Sequence, residues 1–577
     1  MYSSSLNDYI DVHVKRLLKN LLKKQEFHKI NPLVDLYNLI SMDTKLALGA
    51  HDLDKIEGNI TLRLTQGNEN YIPLGSEEAK EVKAGIYSYI DDANDIICYS
   101  EIRQVDKIKV TNESKDIFFI VHGNKETSDK YVKDIAKELY YSLYSIQHRG
   151  QESCGMAISN GDNINYKKDM GLVGDVFKES ELANLKGNIG IGHVRYSTAG
   201  GSHLANCQPL VGRCRKRELA LAHNGNLVNA NYLRDMLEED GYMFQANSDT
   251  EVILYILARY YKGDIVESIK ITMDYIKGAY SLVIMGEDEL VAVRDPHGFR
   301  PLVLGKKGDE YIFASENCAI DILGGEVIRD VEPGEIIVAK DGKLKSYFYS
   351  ENYKPVKKSC IFEHIYFARN DATIDNVNAY DFRVKCGEVL AKDEDIKADI
   401  VVPVPDSGWA GAVGYSNESK LPLSEGLVKN RYVGRTFIKP TQEEREIGVK
   451  IKLNPLSNVV KGKSIVLVDD SVVRGTTSKL IVKSLRDAGA SEIHLRITSP
   501  PVQYSCYYGI DTPHRSNLIA SGNDVEYIRE YIGCDSLKFL DIDLMIEATE
   551  NKATFCKACF DGDYPVKKLD REELLSC

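Results

Sequence analysis

No stretch of this sequence approaches eighteen consecutive apolar residues, so no transmembrane helix is predicted. Met1 to Lys24 is Ser/Tyr/Asp-containing and then Lys-rich, without the apolar centre of a secretory signal. Basic charge is not in excess either: 73 Lys and Arg stand against 86 Asp and Glu, a formal charge of −13. That balance argues against a general nucleic-acid coat or a polybasic membrane binder. A cytoplasmic chain with no membrane partner is expected. Twelve cysteines in 577 residues are too few and too scattered for a disulfide scaffold. In a reducing compartment, cysteines placed with meaning are metal ligands or nucleophiles. Internal repeats, low-complexity tracts and long Pro/Ser-rich linkers are all missing, so the domains are expected to pack against one another.

What is present is an ordinary globular composition, 43% hydrophobic and 28% charged. The length exceeds what one core supports, and about three to five domains are expected. Residues 1–120 open with a helical pattern over Tyr9 to Leu22. Short strands follow at Ile60–Leu64, Tyr71–Leu74 and Ile86–Ile90. Ile117–Val121 reads as a buried strand, and Ser128 to Ile146 has helical spacing. Residues 150–345 are rich in Gly and Asn with short alternating strands, which predicts packed sheets. Residues 395–500 alternate strand and helix, which predicts a parallel sheet with crossover helices.

The most specific segment is Ile465-Val-Leu-Val-Asp-Asp-Ser-Val-Val-Arg-Gly-Thr-Thr-Ser478. A buried strand ends in two adjacent carboxylates, Asp469 and Asp470, and a Gly/Thr-rich loop then opens a helix. Paired carboxylates suit sugar hydroxyls and Mg²⁺, while loop amides, Thr hydroxyls and a helix amino terminus suit a phosphate. The plain alternative is a strand followed by a capped helix. The segment resembles the phosphoribosyl pyrophosphate signature of type I phosphoribosyltransferases. Val404-Pro-Asp-Ser-Gly408 resembles their pyrophosphate loop, and Lys429 to Pro440 resembles the flexible loop that closes over substrate. Residues 140–570 together resemble the amidophosphoribosyltransferase family, glutamine phosphoribosylpyrophosphate amidotransferases of de novo purine synthesis.

That resemblance implies Mg²⁺ contact from Ser407, Asp469 and Asp470. It also implies phosphoribosyl pyrophosphate binding by Asp469, Asp470, Ser471, Arg474, Gly475, Thr476, Thr477 and Lys439, with Arg431 and Arg435 as further loop cations. Four further motifs occur in the order of an N-terminal-nucleophile glutaminase: Gln147-His-Arg-Gly-Gln-Glu-Ser153, Gly192 to Gly200, His223-Asn-Gly-Asn-Leu-Val-Asn229 and Asn247-Ser-Asp-Thr-Glu251. By resemblance Arg195 grips the glutamine carboxylate and Asp249 its amino group, while Asn224 and Gly225 form the oxyanion hole. Turn chemistry is the alternative for Asn224-Gly225.

The family's nucleophile is a cysteine at a processed amino terminus, about two dozen residues before the His-Arg-Gly motif. Here that motif is His148-Arg-Gly150 and the ungapped position is Asn124. No cysteine occurs between Cys98 and Cys154. Cys154 is no substitute, because freeing its amine would remove the motif itself, and Thr127 and Ser128 fit no known pattern. The catalytic nucleophile is therefore absent and an ammonia-dependent reaction is expected.

The amino-terminal piece has its own resemblance. Ile30 to Asn38, Gly49 to Gly58, Tyr71 to Gly75, Asp91-Asp92 and Arg103 to Thr111 resemble the B3/B4 domain of the phenylalanyl-tRNA synthetase β subunit. Only its later part is covered. Either Ile117–Val121 replaces the missing edge strand of the glutaminase sandwich, or the chain is a fusion whose first part folds poorly. The acidic balance gives tRNA little to bind.

Cys556-Lys-Ala-Cys559 stands near the carboxyl terminus. Resemblance to the iron–sulfur branch of the family adds Cys360 and Cys506, implying a [4Fe–4S] cluster, with a Cys₄ Zn²⁺ site as the alternative.

The fold expected is multidomain α+β and α/β. It comprises a partial B3/B4-like α+β piece over 1–142, an αββα glutaminase sandwich over 143–347, and a type I phosphoribosyltransferase parallel-sheet domain with a cluster segment over 348–577. Expected partners are phosphoribosyl pyrophosphate with ammonia or glutamine, purine nucleotides as inhibitors, and further copies of the chain, a tetramer by resemblance. A nucleotide-binding pseudoenzyme and a tRNA-editing module are the alternative functions.

Overall fold

The computed structural model describes residues 47–74, 76, 78–99, 105–107, 109, 117–122, 135–196, 201–215, 217–350, 353–392, 394–430, 453–512, 514–550 and 553–566. The expected helix over Tyr9 to Leu22, the motif Ile30 to Asn38, Asn124, Thr127, Ser128, Arg431, Arg435 and Lys439 lie outside them. The chain divides into two compact units, Met1–Asp134 and Ile135–Cys577.

In the first unit, Thr61–Leu64, Tyr87–Ile90 and Ile96–Tyr99 form an antiparallel three-stranded sheet. Its core gathers Tyr71, Val82, Ile90, Ile96, Ile97, Cys98 and Val105. Glu69 is buried there and accepts hydrogen bonds from Arg63 Nη1 at 2.6 Å and Gln66 N at 2.7 Å. Ile117–His122 pairs antiparallel with Ala47–Asp52, Ile117 opposite Asp52. The expected strand is therefore present, but its partner is a strand of its own unit. The reading in which it extends the glutaminase sheet is corrected: among the described residues that sheet contains three strands, and this is not one of them.

The second unit opens with the helix Ile135–Ser145, which covers a sheet ordered Ile164–Met170, Ser153–Ser159, Ile189–Arg195. Cys154, Met156 and Ile158 face that helix through Ala136 and Leu143. Between these residues the intervening Ala157 joins Ile191, Ala220, Ala222 and Met285 in a second cluster. All seven residues of Ser153–Ser159 are buried because each side of the strand meets another layer. The opposing sheet has six antiparallel strands, ordered Lys343–Phe348, Glu335–Lys340, Glu289–Arg294, Gly278–Met285, Arg217–Leu227, Leu210–Cys214. Helices Asp249–Tyr260 and Ile265–Tyr275 cover its outer face through Val252, Ile256, Ile269 and Met273. The result is the expected αββα sandwich.

The remaining part holds a parallel sheet ordered Ile400–Pro403, Ser464–Asp469, Glu492–Ile497, Ser536–Phe539. Ile465 and Leu467 join one core while Val466 and Val468 join another. A parallel strand covered on both faces needs this continuous apolar run, which is why the segment stands out in the sequence.

Candidate active site

The carboxyl ends of the parallel strands carry the first site. Ser464–Asp469 lies between two neighbours, so its last residue emerges at the crevice where such sheets bind ligands. Asp469 and Asp470 are both buried, and Asp470 N donates to Asp469 Oδ1 at 2.9 Å. The Ser471 hydroxyl donates to Asp470. Among the described residues neither carboxylate forms an ion pair. Burial, reinforced by the adjacent Asp470, pushes the Asp469 carboxyl well above the usual carboxylate range.

The loop Val404–Gly408 leans on the same strand. Val404 N donates to Val468 O at 2.8 Å, and a Cβ on Gly408 would lie 2.4 Å from that carbonyl. Ser407 is thereby held beside the carboxylates' strand, and Lys429 pairs with Asp406. After Asp470 the chain turns through Gly475, at φ 74°, into the helix Thr476–Asp487. A Cβ on Gly475 would meet Ile519 Cδ1 at 2.6 Å. Arg474, Thr476 and Thr477 are exposed at this opening. The carboxylates, the loop Val404–Gly408 and the helix amino terminus thus share one edge of the sheet.

The second site lies in the sandwich. Arg195 ends the strand Ile189–Arg195 and is 5% exposed. Asp249 opens the helix Asp249–Tyr260, where its Oδ2 accepts Leu227 N at 3.0 Å. Burial acts to raise this carboxyl, but His223 Nδ1, 3.6 Å from Oδ1, and the Leu227 amide hold it below the usual range. Asn224 and Gly225 face Ser281 and Tyr280 across the strand pair. Gly225 has φ 151°, and a Cβ there would lie 2.0 Å from Ala279 O. Gly225→Ala should lower stability by about 3 kcal/mol and abolish glutamine binding, because strain and overlap act together. A melting temperature within a degree of the parent would contradict this.

Two buried thiols lie in the same domain. Cys154 is fully buried and its thiol is pushed up to about 12 by burial. Cys207 is also fully buried, its Sγ 3.5 Å from Met170 Sδ. Neither thiol is open to solvent.

A third cluster joins distant cysteines. Ser359–Cys360 pairs parallel with Phe555–Cys556, placing Cys360 opposite Cys556. These two, with Cys506 and Cys559, line one cavity walled by Tyr508, Ile510, Ala558 and Tyr564. Burial pushes the Cys360 thiol up to about 12, with Cys506 adding to the effect, and Cys559 is raised further by burial and by Cys360, Cys506 and Cys556. Four thiols thus line one apolar pocket. Among the described residues no three His, Cys, Asp or Glu are placed to hold a single metal ion.

A buried charge network was not legible from the sequence. Arg149 Nη1 donates to Glu316 Oε1 at 2.5 Å and to Glu363 Oε2 at 2.9 Å, while Nη2 reaches Glu363 Oε1 at 2.8 Å. Burial opposes ionisation of Glu316, yet Arg149 and His148 hold its carboxyl down at about 2. Because the folded value lies below the ordinary glutamate value of 4.5, this stabilisation is complete above pH 4.5 and is lost as pH falls toward 2. Glu316→Gln should flatten that part of the acid-unfolding curve, and an unchanged acid limb would contradict the assignment.

A glutamine-amidotransferase sandwich joined to a phosphoribosyltransferase sheet is the class this fold defines. The glutamine amidotransferase domain family matches residues 193–321, the phosphoribosyl transferase domain family residues 387–498, and the B3/4 domain family residues 9–139. The amidophosphoribosyltransferase of Methanothermobacter thermautotrophicus is 48% identical over 456 residues, 77% of this chain and 96% of the relative. That of Bacillus subtilis is 46% identical over 434 residues, 74% and 91%. A solved B. subtilis glutamine phosphoribosylpyrophosphate amidotransferase, complexed with ADP and GMP, superposes with a TM-score of 0.71 at 44% identity, covering 76% of this chain and 96% of that one. The chain belongs to the amidophosphoribosyltransferase family, pentosyltransferases of the first step of purine biosynthesis. Among the described residues no helix is long and apolar enough to cross a membrane.

Proposed function

We propose that this chain transfers ammonia to C1 of phosphoribosyl pyrophosphate, giving 5-phosphoribosylamine and pyrophosphate, and that it binds glutamine without hydrolysing it. The observation that carries the first part is the buried Asp469–Asp470 pair beside the Val404–Gly408 loop. The absence of any cysteine from 99 to 153 carries the second.

Asp469 and Asp470 hold the ribose hydroxyls, and the Ser471 to Thr477 segment takes the 5′-phosphate on its amides and hydroxyls. Lys439 belongs to the closing loop. Ser407, Asp469 and Asp470 would hold Mg²⁺, whose charge, when bound, favours departure of pyrophosphate. The protein's own share of catalysis is positioning and exclusion of water around the oxocarbenium-like C1. Arg195 and Asp249 grip the carboxylate and amine of glutamine, and Asn224 and Gly225 line its amide.

Cys360, Cys506, Cys556 and Cys559 line one cavity and would hold a [4Fe–4S] cluster, with Zn²⁺ as the alternative for four thiolates. The cluster would tie the carboxyl-terminal segment to the transferase domain. Anaerobically purified protein should be brown, and Cys360→Ser should lose that absorbance with its iron. Colourless protein with stoichiometric zinc would refute the cluster. Purine nucleoside monophosphates are further ligands of the phosphoribosyl site, and the working form is a cytoplasmic tetramer.

Consumption of phosphoribosyl pyrophosphate with ammonia, with glutamine and with neither tests the reaction. Turnover with ammonia alone supports it, and no turnover under any condition sinks it.

A further inference from the structure

We propose that Glu363 is a positioning residue that couples the glutamine pocket to the pyrophosphate loop through one continuous line of contacts. This rests on the reading of those two pockets given above.

On the glutamine side, Glu363 receives both Arg149 donors, and Arg300 Nη1 at 2.7 Å. Arg149 closes the turn Gln147–Arg149 and precedes Gly150. A Cβ on Gly150 would lie 2.3 Å from Arg195 N, and Glu152 N donates to Arg195 O at 3.1 Å. Movement of Arg149 is therefore passed directly to the backbone of the residue assigned to the glutamine carboxylate.

On the transferase side, Glu363 begins a π-helical turn, Glu363–Phe367. This geometry is rare and recurs at functional sites. Arg383 takes up its carbonyls: Nε donates to His364 O at 2.8 Å and Nη2 to Ala368 O at 2.7 Å. Arg383 belongs to the helix Ala379–Ala391, which meets the helix Trp409–Ser419 backbone to backbone. A Cβ on Gly387 would lie 1.9 Å from Gly411 O, and one on Gly414 would lie 1.9 Å from Val384 O. Helices packed this closely move together. The second of them starts directly after the loop Val404–Gly408.

Stability alone is a poor account of this arrangement. Desolvation of a buried ion pair offsets most of its attraction, and apolar replacements are often as stable. What the network does provide is a polar seam with defined partners on both sides.

Calorimetry on the full-length chain tests the proposal. Glutamine is titrated with and without phosphoribosyl pyrophosphate and Mg²⁺, and the reverse titration must give the same coupling factor. In the parent chain a factor of at least about fivefold is expected, as is typical of linked sites. Glu363→Gln should bring it close to one, while each ligand's separate affinity changes by less than about threefold. Arg149→Lys keeps the charge but loses the two-pronged contact. It should also reduce the factor, and it decides the matter if Glu363→Gln does not fold. Folded variants with undiminished coupling would overturn the proposal, as would losses confined to the separate affinities. A parent chain that binds both ligands without coupling would overturn it too. A parent chain that binds no glutamine would overturn the reading of the glutamine pocket, and this proposal with it.

Discussion

Replacement of Asp469 and Asp470 by Asn should lower ammonia-dependent consumption of phosphoribosyl pyrophosphate by about a thousandfold, the scale at which preorganised charge stabilisation is lost. The fold should survive. Asn has nearly the volume of Asp, and both residues end a strand whose apolar neighbours Val466, Leu467 and Val468 are unaffected. Two adjacent buried carboxylates repel each other, and burial with that repulsion already raises the Asp469 carboxyl. In Mg²⁺-free buffer the double variant should therefore melt no lower than the parent. Loss of activity without loss of stability separates a ligand-binding role from a structural one. Steady-state kinetics and a melting curve check this together. More than a tenth of the parent's activity in the double variant would remove these residues from the site.

Glutamine should support turnover at least about a thousandfold more slowly than saturating ammonia, the order expected when a nucleophile is missing from an otherwise formed site. The groups assigned to the carboxylate, amine and oxyanion are present in Arg195, Asp249, Asn224 and Gly225. Cys154 and Cys207 are fully buried. Cys154→Ala and Cys207→Ala should accordingly leave the ratio of the two activities unchanged. Calorimetric binding of glutamine without glutamate release is the corresponding equilibrium result. Glutamine turnover equal to ammonia turnover, in ammonia-depleted buffer, would show that a nucleophile has been overlooked.

The phosphoribosyl strand was legible because its requirement is local. Ile465 to Val468 must be apolar to be covered on both faces, and the carboxylates, Gly475 and the Thr pair follow within one strand–turn–helix. The glutamine amidotransferase domain was legible for a similar reason, since each of its motifs spans fewer than ten residues. The strand at Ile117 was recognised, but its partner was not. Pairing with Ala47–Asp52 spans more than sixty residues, and a hydrophobic run carries no address.

The charge network marks the limit of sequence reading. Arg149 and Glu363 are 214 positions apart, and each belongs to a motif that looks complete without the other. The four cluster cysteines stand between these cases. Cys556 and Cys559 share a short spacing, whereas Cys360 and Cys506 were assigned by family resemblance. The parallel pairing of Ser359–Cys360 with Phe555–Cys556 is what brings the first of them to the cavity.

The sequence by itself determined the domain classes, the transferase signature and the absence of any cysteine between Cys98 and Cys154, because these follow from periodicity and from short, chemically constrained segments. Only the tertiary structure decided which strand Ile117–His122 joins, that Cys154 and Cys207 are buried, and that Arg149, Glu316, Glu363 and Arg300 meet in one buried seam. Burial and long-range pairing arise from the packing of whole layers, and no local stretch of residues encodes them.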